Sequence, residues 1–455
     1  MNLSTWKVRV FKIKKPGQFH GAKNILGSAL ISSFIVHAIC FLYLIPFLGP
    51  PEGVQEQINQ LSEGTDWWGT FLPWMAFHFS LQSVNDWQVI YFILSLINAF
   101  SLNRLLLPLW NMKPVHKFIS IFFQYLFSMY VLQNGRDGIQ LCLFTLALAI
   151  FLDKTSRFRV LQRQLSILLV AIACLLKLAF VPFLAFAFYL FQDKGSKKNP
   201  SLLLKRFELS VPIFVVLLAF SLNLVISEQA YKEGLQNSYP EQQVMIYDLA
   251  SVQCWSSNRN AVDFATQSLL PILVNNNEAR DICRYLVPYG WDTLRVTQES
   301  WGLNKPIRQI NASGGETYLK LKNDWIRLII SHPLAWFSAK ATLIGHILFM
   351  SHSLDNPRNK RETSNIFYYL LQLFRATSVL LDNLMLTTLG ASFILLFINQ
   401  FFRTSTRSLN GPFVLISICF LNQLFVYVSN NGRYVFGMIL VTWLLFLRRM
   451  KLHNE

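Results

Sequence analysis

Residues 24–48, NILGSALISSFIVHAICFLYLIPFL, decide the fold. The run holds no Asp, Glu, Lys or Arg, and as a helix rising about 1.5 Å per residue it is longer than the roughly 30 Å hydrocarbon core of a bilayer. It is too long for the apolar core of a secretory leader, and no small-residue cleavage site follows, so it reads as a first membrane span. Lys7, Arg9, Lys12, Lys14, Lys15 and Lys23 precede it without a single acidic residue. Under the positive-inside bias, that asymmetry places the N-terminus in the cytoplasm.

Outward from this stretch, similar runs recur near 87–109, 116–133, 139–153, 164–176, 179–192, 208–227, 378–401, 411–428 and 433–447, about ten spans in all. The chain is 53% apolar and 14% charged, and in lipid only helices satisfy every backbone N–H and C=O within their own segment. The turns expected inside carry Lys113 and Lys117, then Lys154, Arg157, Arg159 and Arg163, then Lys194, Lys197, Lys198, Lys205 and Arg206, then Arg403 and Arg407, and finally Arg448, Arg449 and Lys451. The formal charge of +17 therefore reports topology and not nucleic-acid binding, because it is dispersed in clusters between apolar runs. Keeping the Lys194–Arg206 cluster inside requires two short helices between 164 and 192, meeting near Lys177 and Pro182. Helices of about 13 residues cannot cross a full bilayer, so a thinned membrane or a cavity is expected there.

Two stretches fall outside: 49–86 and 228–377. The second is too long for a structureless loop, and Trp255, Trp291, Trp301 and Trp325 can build a small, mostly helical core. Its 334–353 segment is apolar but holds Lys340, His346 and His352, which predicts an interfacial amphipathic helix. The expected fold is an all-α integral membrane protein: residues 1–227 form an N-terminal membrane module, 228–377 a largely helical extracytoplasmic domain, and 378–455 a membrane module with the last three spans. Cys40, Cys142, Cys174 and Cys419 fall in spans and read as small apolar residues. Cys254 and Cys283 fall in the outer segment and are expected to pair. No internal repeat, phosphate-binding loop, dinucleotide fingerprint or Cys/His metal cluster is present.

Ionisable residues at membrane depth or at the outer rim are functional candidates because each is costly unless paired. They are Glu52, Glu56, Asp66, Arg136 with Asp137, Lys177, Asp248, His332 and Arg433. Their order carries a resemblance. Pro51-Glu52-Gly53 through Gln60 with Asp66-Trp67, Arg136-Asp137 before the fourth span, Lys177 at the short-helix turn, Tyr247-Asp248-Leu249-Ala250, Trp325 with His332-Pro333-Leu334-Ala335, and Arg433-Tyr434 at the last span together resemble the motif series of bacterial membrane glycosyltransferases of the GT-C superfamily. The group's Asp-Trp-His-Pro reads Asp66-Trp67-Trp68-Gly69 here, and Glu56 stands where the group has Asp.

The resemblance implies transfer of a sugar from a polyprenyl-phosphate-linked donor to a glycan or lipid acceptor at the outer face of a bacterial inner membrane; the positive-inside pattern puts both termini in the cytoplasm. It implies an acidic base, Glu56 or Asp66, and donor-phosphate cations Arg433, Lys177 and Arg136. Asp137, Tyr434, Asp248 and His332 take supporting roles. No metal-ligand cluster is present, and a divalent cation bridging acid and phosphate is the one cofactor this chemistry leaves open. The bilayer and the two glycan substrates are the expected partners, with no nucleic acid. Each residue also has a bland reading: solvated loop acid or helix cap for Glu56 and Asp66, a local ion pair for Arg136-Asp137, snorkelling for Lys177, headgroup anchoring for Arg433, and structural roles for Asp248 and His332. The alternative functions are an O-antigen or capsule-type polymerase, a noncatalytic membrane scaffold, and a transporter.

Overall fold

A computed structural model describes residues 17–50, 66–67, 71–81, 83–110, 114–133, 135–153, 158–176, 183–185, 187–188, 202–232, 236–237, 242–273, 282–285, 307, 310, 314–349, 440–442 and 444–445. These residues are overwhelmingly helical. In chain order they form α1 (Gly17–Leu44), β1 (Asp66–Trp67), α2 (Phe71–His78), α3 (Val84–Trp110), α4 (Pro114–Gln133), α5 (Gly135–Leu152), α6 (Arg159–Leu176) and α7 (Leu202–Lys232). There follow β2 (Gln236–Asn237), α8 (Gln242–Trp255), α9 (Arg259–Leu269), α10 (Ile282–Tyr285), α11 (Gly315–Ser331) and α12 (Pro333–Phe349).

Five stretches are long and apolar enough to cross a membrane: Gly27–Leu44, Val84–Trp110, Pro114–Leu132, Gly135–Leu152 and Ile213–Ala230. Their faces are inverted relative to a water-soluble bundle. In α1, Ile31, Ile35, Ile39 and Leu42 point outward, whereas Ser33, His37 and Cys40 are buried against neighbours. In α3, Val89, Phe92, Ile93, Leu96 and Phe100 are exposed while Ser95, Asn98, Ser101 and Asn103 are buried. The outer face of α7 carries Ile213, Phe214, Leu217, Phe220, Leu224 and Val225. Aliphatic stripes of this length are unfavourable in water but at home in hydrocarbon, where the polar side chains are the ones that must turn inward.

Local chemistry sets the helix ends. A reciprocal capping box starts α3: Ser83 N donates to Asp86 Oδ2 at 3.0 Å and Asp86 N to Ser83 Oγ at 3.1 Å. Between α4 and α5 the chain reverses at Gly135, whose φ of 49° suits glycine. One turn on, a Cβ on Gly138 would lie 2.2 Å from the Val131 carbonyl oxygen, so α5 approaches α4 backbone to backbone. This reversal starts α5 four residues before the 139–153 reading.

The structure corrects the short-helix expectation in its first half. The helix read as 164–176 begins at Arg159 and is 18 residues long, with Val160–Leu176 apolar. Arg159 and Arg163 thus belong to its opening turns and not to the preceding loop. Gln140 Nε2 of α5 donates to the Ala173 carbonyl of α6 at 2.8 Å, fixing the pair. The turn holding Lys177 and Pro182 lies outside the described residues, as do the readings at 378–401 and 411–428.

In the segment after α7, α8 is the central helix, with α9, α11 and α12 packed around it. Its residues from Met245 to Val252 are all buried. Gln242 closes its start, donating to the Ile310 carbonyl at 2.9 Å and accepting from Ile310 N at 2.7 Å. Cys254, near the end of α8, is bonded to Cys283 in α10, as its position outside the spans suggested. Cys40, Cys142 and Cys174 are buried free thiols, and Cys419 lies outside the described residues. Parallel pairing of Asp66 with Gln236 and Trp67 with Asn237 joins the loop after α1 to the chain leaving α7.

Candidate functional site

One end of the helix bundle carries the Arg136–Asp137 pair. Leu44 at the end of α1, Leu72 of α2, Trp87 at the start of α3, Leu132 at the end of α4, Ile139 at the start of α5 and Leu176 at the end of α6 belong to one apolar cluster. Antiparallel hairpins necessarily bring these termini to the same end. There the structure places Arg136, half-buried, and Asp137, buried, in the first turn of α5. A carboxylate at that position is favoured by the free N–H groups and the positive end of the helix dipole. Asp66 sits in β1, between α1 and α2. Lys177 follows Leu176 directly in sequence but is outside the described residues, as are Glu56, Arg433 and Tyr434.

Asp248 belongs to a different constellation. On α8 it is 1% exposed, and its Oδ1 lies 2.5 Å from Lys340 Nζ of α12. Its Oδ2 accepts from two indoles, Trp325 Nε1 of α11 at 2.9 Å and Trp336 Nε1 of α12 at 2.8 Å. One carboxylate therefore ties three helices together through charge-assisted bonds. Both of its oxygens are engaged and water is excluded, so the group is built to hold helices and not to abstract a proton from an acceptor. Beside it, burial and the Asp248 charge push the Tyr247 phenol well above its ordinary range.

The structure gives Lys340, which the sequence places on an interfacial helix, a buried partner. Lys340 is 1% exposed, and its ammonium meets Asp248 within the packed unit. Ala335 and Ala339, both buried, flank Trp336 and Lys340 on that face and allow α12 to approach α8. The sequence signal was there as a Trp and a Lys one turn apart, each beside an alanine, but the partner carboxylate is too distant in sequence to suggest itself. His332 stands at the end of α11, with its backbone N–H bonded to the Leu328 carbonyl at 2.8 Å. Its ring rests against Phe264, 6.0 Å between centroids, which is a packing role.

Among the described residues no group of three or more His, Cys, Asp or Glu side chains is arranged to hold a metal ion. Comparisons with family models, curated proteins and solved structures find no match to this chain.

Proposed function

We propose that this protein is a membrane transferase that moves a sugar from a polyprenyl-phosphate-linked donor to a glycan or lipid acceptor at the outer face of a bacterial inner membrane. About ten spans with both termini cytoplasmic complete the reading, following the distribution of Lys and Arg between the apolar runs. What supports it is the placement of Arg136-Asp137 of α5 at the same bundle end as the helix end preceding Lys177, with Asp66 of the first loop held beside the chain leaving α7. The β1–β2 pairing ties that loop to the start of the helical unit. An acid for deprotonating an acceptor hydroxyl and cations for neutralising a departing phosphate need this kind of proximity. In this scheme Glu56 or Asp66 is the base, and Arg433, Lys177 and Arg136 hold the donor phosphate. The Asp248 constellation braces the helical unit that follows α7.

The test is transfer from a polyprenyl-phosphate-linked sugar in proteoliposomes. Glu56→Gln and Asp66→Asn are each purified and checked for an unchanged thermal transition. The variant lacking the base should lose at least about 100-fold in rate, the usual scale of a general base. Full activity in both would overturn the assignment.

A further inference from the structure

Three helices that the transfer reaction does not use in this scheme, α1, α3 and α4, carry a polar seam between them. His37 lies within a turn of the midpoint of the Gly27–Leu44 stretch, Asn98 near the midpoint of Val84–Trp110 and Gln124 near that of Pro114–Leu132. All three are fully buried. His37 Nδ1 is held 2.9 Å from the Ser33 carbonyl of its own helix, and His37 Nε2 meets Asn98 Nδ2 at 3.1 Å. Ser33 Oγ crosses the same seam to donate to the Ala99 carbonyl at 2.8 Å.

The α4 side of the seam is a stripe at helical spacing: Ser120, Gln124 and Ser128. Ser120 accepts from Trp110 Nε1 of α3 at 3.0 Å, and Ser128 Oγ is buried with no hydrogen-bond partner among the described residues. Gln124, between them on the same face, is fully buried in a helix that packs on both α1 and α3. Its Nε2 is directed to Ser120 Oγ at 3.4 Å, which leaves Oε1 as an acceptor.

Among the described residues, Gln124 Oε1, Asn98 Oδ1 and Ser95 Oγ have no hydrogen-bond partner although none reaches solvent. Buried polar atoms in native proteins are almost always satisfied, and those without a protein partner characteristically bind ordered water. Ser95 and Asn98 are one turn apart on α3, Gln124 of α4 lies at a matching depth in its span, and Ser33 and Ala99, where α1 meets α3, are small, an arrangement that can offer a water the two to four partners it needs. We propose that the α1–α3–α4 seam is an intramembrane water-binding site, in which the orphan acceptors of Asn98, Gln124 and Ser95 hold water beside His37 halfway across the bundle.

The experiment is water-edited solid-state NMR on the full-length protein in lipid bilayers with labelled His, Asn, Gln and Ala. Magnetisation should pass from water to the His37 ring as fast as to residues at the bundle ends. Transfer that reaches His37 only as slowly as Ala147, a fully buried residue of α5, would mean a dry seam and overturn the proposal. Asn98→Leu should slow the transfer several-fold. Ser95→Ala, which removes one acceptor and a single oxygen, guards against a misfolded Asn98 variant and should slow it by a smaller factor. Unchanged transfer in both folded variants would likewise overturn the site.

Discussion

At the scale of single residues, the Asp248–Lys340 pair is the most consequential contact in the described structure. Removing one partner of a fully buried ion pair leaves a charge with no compensation and typically costs about 3–5 kcal/mol. Lys340→Met should therefore lower unfolding stability by about that amount. Adding Asp248→Asn should return a substantial part of it, since a neutral amide oxygen still accepts from Trp325 and Trp336. Denaturant unfolding in detergent micelles with a double-mutant cycle measures the coupling; simple additivity of the two losses would show that the charges do not sense each other. Asp248 was legible as a candidate because it sits in a short motif, whereas Lys340 was read only as one of three polar residues marking 334–353 as an interfacial helix, and its buried pairing was not foreseen. Nothing local reveals a partner so many residues away. His37, Asn98 and Gln124 were passed over for a similar reason: each is one polar residue in a long apolar run, and only packing shows that they meet.

At the scale of elements, the membrane helices were the most legible part, because a bilayer imposes a length that hydropathy reports directly. The first, second and third spans were read to within a few residues, apart from the seven residues by which α1 extends ahead of the first, while α5 and α6 begin earlier than their apolar runs suggest. In α5 the extra turn contains Gly135 and Gly138, which look like breakers in isolation. Gly138 instead permits the close approach of α4 and α5. Gly138→Ala places a methyl against the Val131 carbonyl and should destabilise the protein by about 1–3 kcal/mol, as overpacking does, with the hairpin opening around Arg136 and Asp137. A thermal melt measures the loss, and an unchanged midpoint would mean that the backbones separate freely. In α6, Arg159 and Arg163 were assigned to a loop because charge was weighed above helix length, although long basic side chains at a span's end are compatible with helix.

At the scale of the whole molecule, the arrangement of helical hairpins with a helical unit after α7 was legible from run lengths and from the basic turns, but the cross-connection through β1 and β2 was not. Two residues pairing with two others leave no periodic trace. The orientation of the bundle is tested by Lys197→Cys and Gln267→Cys. In intact cells an impermeant thiol reagent should label the second and spare the first, and ready labelling at 197 would invert the topology after α6. The depth at which Asp248 is buried also bears on how the chain is made. Trp336 is separated from Asp248 by 88 residues, so at the pace of translation the carboxylate emerges on the order of ten seconds before its indole donors. During that interval α8 holds an acidic side chain with no partner amid apolar neighbours, and the unit cannot close until α12 arrives. A ribosome stalled anywhere between the two would leave a segment whose apolar surface is open to chaperones and proteases, which makes the last helix of the unit the step that commits the nascent chain to its native form.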